Sequence, residues 1–222
     1  MAFKNFKVET DADGIVLVTW DIPGRSMNVL DDTSFTELET IVKQTTEDAK
    51  VKGVVITSGK DAFCAGADLS MLEGMSHSYA KTLKEKGEVA ANQALFNQAS
   101  GMSQVFRRIE TSGKPWVAAI NGLALGGGFE ITLSCHYRVA ADNPKTRLGL
   151  PEIKVGLFPG AGGTQRVPRI VAPQDAMQLL LQGQAIDVAK AKALNLIHAI
   201  VPAADLIKAA RSEERRVGKE CA

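Results

Sequence analysis

The chain has 222 residues, a formal net charge of +1 and 45% hydrophobic residues. That length can bury a substantial core in one large domain or two small ones. The near-neutral charge excludes the basic excess with which nucleic-acid-binding proteins replace phosphate counterions. With aromatic residues at 5% and 20 glycines, the composition favours aliphatic packing with close backbone approaches.

Three cysteines, at Cys64, Cys135 and Cys221, are odd in number and far apart. This pattern favours a reducing compartment over a disulfide framework. The first residues, MAFKNFKVETDADG, lack the apolar core of a secretory signal. No apolar run approaches the roughly 20 residues that span a bilayer. We therefore expect a cytoplasmic protein with no membrane span and no nucleic-acid partner.

The sequence pattern predicts strands and helices that alternate along the chain, which favours an α/β architecture. In the first half, a hairpin is predicted from Phe3–Thr10 and Ile15–Asp21, followed by a helix that is capped by Asp31 or Asp32 and buries Phe35, Leu38, Ile41 and Val42. A strand Gly53–Ser58 and a loop Gly59–Leu69 come next. One long helix then runs from about Tyr79 to Glu110, with an apolar stripe of Leu95, Ala99, Met102, Phe106 and Ile109. In the second half they are a strand Trp116–Asn121, a glycine-rich segment Gly122–Gly128 that opens a helix, a strand Tyr137–Ala141, helical segments around Thr164–Val171, Pro173–Gln182 and Asp187–Asn195, and a strand Ala199–Val201.

The last twelve residues differ from the rest. The sequence RSEERRVGKECA, residues 211–222, carries seven charged side chains and no apolar periodicity. One interpretation is a solvated helix end; the other is foreign sequence after a native frame that stops near Ala210. We expect one domain over residues 1–210 followed by this charged tail.

The segment NGLALGGGFE, residues 121–130, is the richest in chemical signals. Glycine costs roughly 1 kcal/mol relative to alanine inside a helix, so three in a row at a helix start need a reason. One reason is that the backbone approaches a ligand closely there and offers it free N–H groups. The alternative is that the glycines only allow tight packing of the helix. Glu130 is the only charged residue between Lys114 and Arg138. A buried carboxyl has a raised pKa, which suits proton transfer near neutral pH.

A second acid, Glu152, follows Pro151 in GLPEIKVGLFPGAGG, again among glycines and apolar residues. Two carboxyl groups that converge on one site can act as an acid and base pair. Alone, each is more typical of a surface or capping glutamate. The loop FCAGADL, residues 63–69, offers a second set of backbone N–H groups or is a plain strand-to-helix connection. Dinucleotide, P-loop and GxSxG patterns are absent, and the histidines lack metal-ligand spacing, so we expect no metal site.

In this order, FCAGADL, NGLALGGGFE and LPEIKVGLFPGAGGTQR resemble the signature segments of the crotonase (enoyl-CoA hydratase/isomerase) superfamily, over roughly residues 5–208. The resemblance implies a spiral of repeated ββα units and an acyl-CoA substrate without a metal. It implies that the N–H groups of Ala67 and Gly127 form an oxyanion hole. Glu130 then corresponds to the acid that activates water, and Glu152 to the acid that exchanges a proton with the α-carbon.

Further substrate contacts are implied for Ala65, Ala67, Asp68, Leu69, Gly126 and Gly127. The implied reaction is the hydration of trans-2-enoyl-CoA in fatty acid β-oxidation, with Δ3-Δ2 isomerase activity left open. Two alternatives remain: another acyl-CoA reaction such as thioester hydrolysis, and an acyl-CoA-binding fragment without turnover.

The amino-acid sequence around and after Glu152 is most similar to the N-terminal module of multifunctional fatty acid oxidation α-subunits. Those proteins carry an NAD-dependent 3-hydroxyacyl-CoA dehydrogenase domain downstream, for which this chain has no dinucleotide fingerprint. We therefore expect no cofactor in this chain and, in a full-length protein, a homo-oligomer or a thiolase β-subunit partner. The helical C-terminal part of the family's fold is expected to be missing here.

Overall fold

Eight strands form two sheets in the computed structural model, which describes residues 2–212. The strands are β1 (Phe6–Thr10), β2 (Ile15–Trp20), β3 (Gly53–Ser58), β4 (Trp116–Ile120), β5 (Ala124–Leu125), β6 (Tyr137–Ala141), β7 (Leu148–Gly149) and β8 (Ala199–Val201). The large sheet has the order β1-β2-β3-β4-β6-β8, and β5 pairs with β7. Apart from the antiparallel β1–β2 hairpin, these strand pairs are parallel.

Helices connect and cover the strands. They are α1 (Asp32–Glu47), α2 (Leu69–Lys86), α3 (Glu88–Thr111), α4 (Gly127–Ser134), α5 (Gly163–Ile170), α6 (Pro173–Gln182) and α7 (Val188–Ala193), with 3-10 helices at Pro151–Val155 and Ala203–Asp205 and a last helical segment over 206–212. This alternation confirms the predicted α/β class. Over residues 2–212, none of the helices is both long and apolar enough to cross a bilayer.

The core lies on both faces of the large sheet because side chains alternate along each strand. Val54 and Ile56 of β3 face the larger core, which the helices α1 and α3 cover. Val55 faces a smaller core completed by Leu206 and Ala210 of the last helical segment. Burial on both faces explains why the central parallel strands are short, continuous apolar runs.

The predicted hairpin is confirmed with shorter strands, and the predicted strands at β3, β6 and β8 are confirmed residue for residue. Asp31 is the N-cap of α1, because its side chain accepts a hydrogen bond from the Ser34 N–H at 2.7 Å. The helix buries the predicted Leu38, Ile41 and Val42.

The single long helix from Tyr79 to Glu110 is wrong. Gly87 adopts φ +83°, a conformation that favours glycine, and separates α2 from α3. Part of the apolar stripe is also wrong, because Leu95 and Ala99 are exposed whereas Phe106 and Ile109 are buried. Sequence analysis missed β5, β7 and both 3-10 helices, which are too short to show periodicity. Of the predicted tail, residues 211 and 212 belong to the last helical segment, and the remainder lies outside the described residues.

Asn28 joins the ends of β2 and β3 to the loop that follows β3. Its side chain is fully buried and makes every one of its hydrogen bonds inside the protein. The partners of its side chain are the Trp20 carbonyl at 2.8 Å, the Ser58 hydroxyl at 2.9 Å, the Phe63 carbonyl at 3.2 Å and the Ile22 N–H at 3.1 Å. The Asn28 carbonyl also accepts the Ala65 N–H at 2.9 Å. Asn28 thus fixes the loop that leads to Ala67 through its side chain at Phe63 and its backbone carbonyl at Ala65.

We expect Asn28→Ala to lower the free energy of unfolding by about 1–3 kcal/mol, because buried polar groups lose their partners. Urea titration followed by circular dichroism measures this loss. The exposed Asn97 of α3 provides the control, since Asn97→Ala should change the free energy by no more than about 0.5 kcal/mol. Equal stability of the two variants would contradict the role assigned to Asn28.

Candidate active site

Glu130 lies on α4, an eight-residue helix that is buried along its whole length. The residue is 2% exposed. Its Oε1 accepts hydrogen bonds from the N–H groups of Ala161 at 2.8 Å and Gly163 at 2.7 Å. A Cβ on Gly163 would lie 3.1 Å from that oxygen. Glycine at position 163 therefore lets the start of α5 approach the carboxylate closely.

Burial raises the pKa of Glu130 to about 7. The N–H groups of Gly163 and Ala161 and the charge of Arg166 favour the ionised form, whereas the charge of Glu152 opposes it. Removal of the carboxylate from water raises the pKa of Glu130 by more than the N–H donors lower it. A carboxyl group with this pKa exchanges protons readily near neutral pH.

Glu152 lies on the 3-10 helix Pro151–Val155 and is half-buried. Its Oε1 lies 3.0 Å from the position of a Cβ on Gly126, the N-cap residue of α4. Its Oε2 is buried and has no hydrogen-bond partner within residues 2–212. Burial raises the pKa of Glu152, partly opposed by its own backbone N–H. Glu152 thus presents an unpaired oxygen at the end of α4 that is one turn from Glu130.

The backbone amides at this end of α4 that have no acceptor within the described part of the chain include those of Ala67 and Gly127. Gly127 is the first residue of α4, a position whose N–H has no partner inside a helix. On the other segment, the Gly66 carbonyl and the Asp68 N–H both bond to Leu30, at 2.8 and 2.9 Å. Because successive residues of extended backbone point their N–H groups to opposite sides, the Ala67 N–H points away from Leu30.

Glycines bring these two segments together. A Cβ on Gly66 would lie 3.3 Å from the Leu125 carbonyl oxygen, and a Cβ on Gly126 would lie 3.6 Å from the Gly66 Cα. Both glycines have positive φ, +106° and +54°. The structure therefore places the backbone that carries the Ala67 and Gly127 amides side by side, next to the Glu152 carboxylate.

The other residues predicted to bind substrate lie along the same loop. The Ala65 N–H donates to Asn28, and Leu69 is 68% exposed at the start of α2. The Asp68 carboxylate is already paired, because it caps α2 through Ser70 and forms an ion pair with Arg25 at 2.6 Å. Its hydrogen bonds to Ser70 and Arg25 lower the pKa of Asp68 to about 2. Asp68 thus holds the loop with its side chain.

Sequence analysis missed the donors to Glu130, the N–H groups of Ala161 and Gly163. Their signal is a second glycine-rich helix start, FPGAGG, which repeats the pattern of the first in NGLALGGGFE. No group of three or more histidine, cysteine or acidic side chains that could hold a metal occurs within residues 2–212.

We expect Glu130→Gln to stabilise the protein above neutral pH. The folded-state pKa of Glu130 lies above its ordinary value of 4.5, so ionisation costs stability as the pH rises from about 4.5 through about 7. The cost approaches ~3 kcal/mol at high pH. Glutamine removes this charge and keeps an acceptor for both amides.

Urea titrations of the two proteins between pH 4 and 9 measure the difference, which should vanish at the acid end. Glu85→Gln, at an exposed site on α2, controls for the loss of one negative charge. A pH-independent difference between Glu130→Gln and the parent would contradict the buried titration.

Comparison with known proteins identifies the family and the fold. The family model described as "Enoyl-CoA hydratase/isomerase" matches residues 10–220. The chain is 42% identical over 209 residues to the fatty acid oxidation complex subunit alpha of Idiomarina loihiensis, covering 93% of this chain and 27% of that protein. It is 40% identical over 221 residues to the subunit of that name from Shewanella frigidimarina, covering 99% of this chain and 29% of that protein.

The chain thus spans less than a third of the length of these curated relatives. Among solved structures, an enoyl-CoA hydratase from Bacillus anthracis superposes with a TM-score of 0.81 at 31% identity, covering 96% of this chain and 76% of that one. This likeness confirms the predicted crotonase-type fold. The match to the family model and the likeness in fold show that the chain belongs to the enoyl-CoA hydratase/isomerase family.

Proposed function

We propose that this chain adds water to trans-2-enoyl-CoA and yields 3-hydroxyacyl-CoA, as a step of fatty acid β-oxidation. The observation that carries the proposal is a pair of carboxyl groups of raised pKa beside two free backbone amides. Membership of the enoyl-CoA hydratase/isomerase family supports it. Coenzyme A enters as part of the substrate, and the proposed reaction uses no metal or other cofactor.

The two amides serve as an oxyanion hole. The thioester carbonyl oxygen lies between the N–H groups of Ala67 and Gly127, and the free start of α4 favours negative charge there. As the β-carbon is attacked, charge moves onto this oxygen and an enolate forms. Donors that are fixed in advance stabilise that charge, and the loss of one such donor typically costs about 3 kcal/mol.

The two glutamates move the protons. Ionised Glu130 takes a proton from water while the water oxygen bonds to the β-carbon and the double-bond electrons move toward the thioester. Protonated Glu152 then gives its proton to the α-carbon. Water has been added across the double bond, and transfer of the proton from Glu130 to Glu152 restores the starting state. The two N–H donors to Glu130 favour its ionised form, and burial favours the protonated form of Glu152.

The loop residues Ala65, Ala67, Asp68 and Leu69, with Gly126 and Gly127, line the proposed path of the CoA thioester. Within this loop, the Ala65 N–H donates to the Asn28 carbonyl and the Asp68 N–H to the Leu30 carbonyl, so the loop is ordered before substrate arrives. Such preorganisation lowers the cost of binding.

Isomerisation of 3-enoyl-CoA to 2-enoyl-CoA is a second candidate activity, favoured by the unpaired Oε2 of Glu152. A single carboxylate can remove the α-proton and return it to the γ-carbon. Incubation with 3-enoyl-CoA in heavy water, followed by mass spectrometry, distinguishes isomerisation from hydration by the products formed.

The larger protein and its partners belong to the same proposal. Relatives named as alpha subunits of fatty acid oxidation complexes are more than three times as long as the matched region. We propose that residues 1–210 form the hydratase domain. In the full-length protein, an NAD-dependent dehydrogenase domain would follow, in a cytoplasmic homo-oligomer or a complex with a thiolase β-subunit.

We expect Glu130→Gln and Glu152→Gln each to reduce the turnover of trans-2-butenoyl-CoA by a factor of about 100 or more, since each removes a positioned acid or base. Glutamine preserves size and hydrogen bonding, so KM should change little. Loss of the absorbance of the conjugated thioester measures the rate, and chromatography identifies the product.

Glu85→Gln on α2 provides the matched control and should retain the parent rate. Near-normal hydration by either site variant would refute the assigned roles. Release of free CoA thiol in place of 3-hydroxyacyl-CoA would show thioester hydrolysis. A rise in melting temperature with acyl-CoA but no product would indicate binding without turnover.

A further inference from the structure

Arg166 lies directly behind the turn that holds Glu130. The arginine is on α5, and its side chain is 10% exposed. Its Nε donates to the Glu110 Oε1 at 2.7 Å, and its Nη1 donates to the Ala161 carbonyl oxygen at 2.7 Å. Glu110 belongs to α3, so the guanidinium group connects two helices through the turn between them.

The turn over residues 160–163 is shaped around this guanidinium group. Gly162 has φ +102°, and a Cβ at that position would lie 2.3 Å from the Arg166 Nη1. The arginine therefore packs against the backbone of Gly162 and bonds to the carbonyl of the residue before it. The two peptide units that flank this one carry the N–H groups of Ala161 and Gly163 that hold the Glu130 carboxylate.

A continuous chain of contacts thus runs from Glu110 through Arg166 and the turn to Glu130. The planar guanidinium group fits this place because it bonds to two acceptors in fixed directions. We propose that Arg166, held by Glu110, is a positioning residue that orients Glu130 for proton transfer by fixing the 160–163 turn. This inference rests on the proposed function of Glu130.

The charges around Glu130 have opposite effects on its pKa. Glu152 on the 3-10 helix raises the pKa of Glu130, and Arg166 on α5 lowers it. Glu110 on α3 lies behind Arg166; burial alone would raise its pKa, but hydrogen bonds from Arg166 and Arg107 outweigh burial and lower it. Removal of Arg166 takes away one positive charge and loosens two N–H donors, so both changes raise the pKa of Glu130.

We expect Arg166→Met to lower kcat by a factor of roughly 10–100 with little change in KM, because a misplaced catalytic group slows the chemical step. The acid limb of the kcat profile should move up by roughly 1 pH unit, since ionised Glu130 is the active form. Arg169→Met is the matched control, at an exposed arginine on the same helix, and should leave both quantities unchanged.

A second pair of variants tests the contact between helices and applies even if Arg166→Met does not fold. Glu110→Ala removes the acceptor for the Arg166 Nε and should lower kcat as Arg166→Met does. Glu110→Gln keeps an acceptor oxygen and should recover most of the lost rate. If Arg166 has a purely structural role, kcat should instead follow the melting temperature of each variant. Glu110→Gln should then not recover the rate, and the pH profile of kcat should not shift.

Titration of carboxyl carbons by nuclear magnetic resonance separates this inference from the proposed function. Protein labelled with ¹³C at the glutamate side-chain carboxyl gives a signal for Glu130, assigned by its absence in Glu130→Gln. An upward shift of its titration in Arg166→Met but not in Arg169→Met supports the positioning role even if no hydration is found. An unshifted titration together with an unchanged kcat would overturn it.

Discussion

Burial of the Glu130 carboxylate is the constraint on which the site depends. A carboxylate removed from water is costly unless donors replace the lost hydration. The replacement comes from two backbone N–H groups, of Ala161 and Gly163, that are far away in sequence. The site is therefore completed only when the segment that carries Ala161 and Gly163 packs onto α4. Desolvation still dominates, and this keeps the pKa of Glu130 near neutrality instead of at its ordinary value.

Glycines supply the close contacts that this arrangement needs. A Cβ on Gly128 would lie 2.6 Å from the Cβ of Cys64, and one on Gly122 would lie 1.9 Å from the Asp61 carbonyl oxygen. These contacts press the start of α4 against the loop after β3. The free amides of that loop and of the helix start then lie together, and neither segment could approach so closely with a larger residue. The glycine-rich composition is thus a packing requirement at the positions where the proposed function needs the backbone amides.

Sequence patterns predicted the features that depend on local chemistry. The buried strands follow from short β-branched runs such as Gly53–Ser58, and Glu130 and Glu152 stand out because each acid lies in an apolar, glycine-rich segment. Patterns failed where a single backbone conformation or a distant contact decides the outcome. Gly87 interrupts a stretch of helical periodicity through one positive φ, and the donors to Glu130 become visible only when residues 31 and 33 positions apart meet in space.

The two acids differ in how firmly they are held, and this difference supports the tasks proposed for them. One oxygen of Glu130 accepts two N–H donors, so its orientation is fixed before substrate binds, as a base that must direct a water molecule requires. Glu152 keeps a buried oxygen without a partner in the part of the chain that the structure describes. Burial favours the protonated form of Glu152, and the backbone N–H of Glu152 opposes this only in part. The fold therefore places one carboxyl group of fixed orientation and one with an unpaired oxygen near the start of a single buried helix.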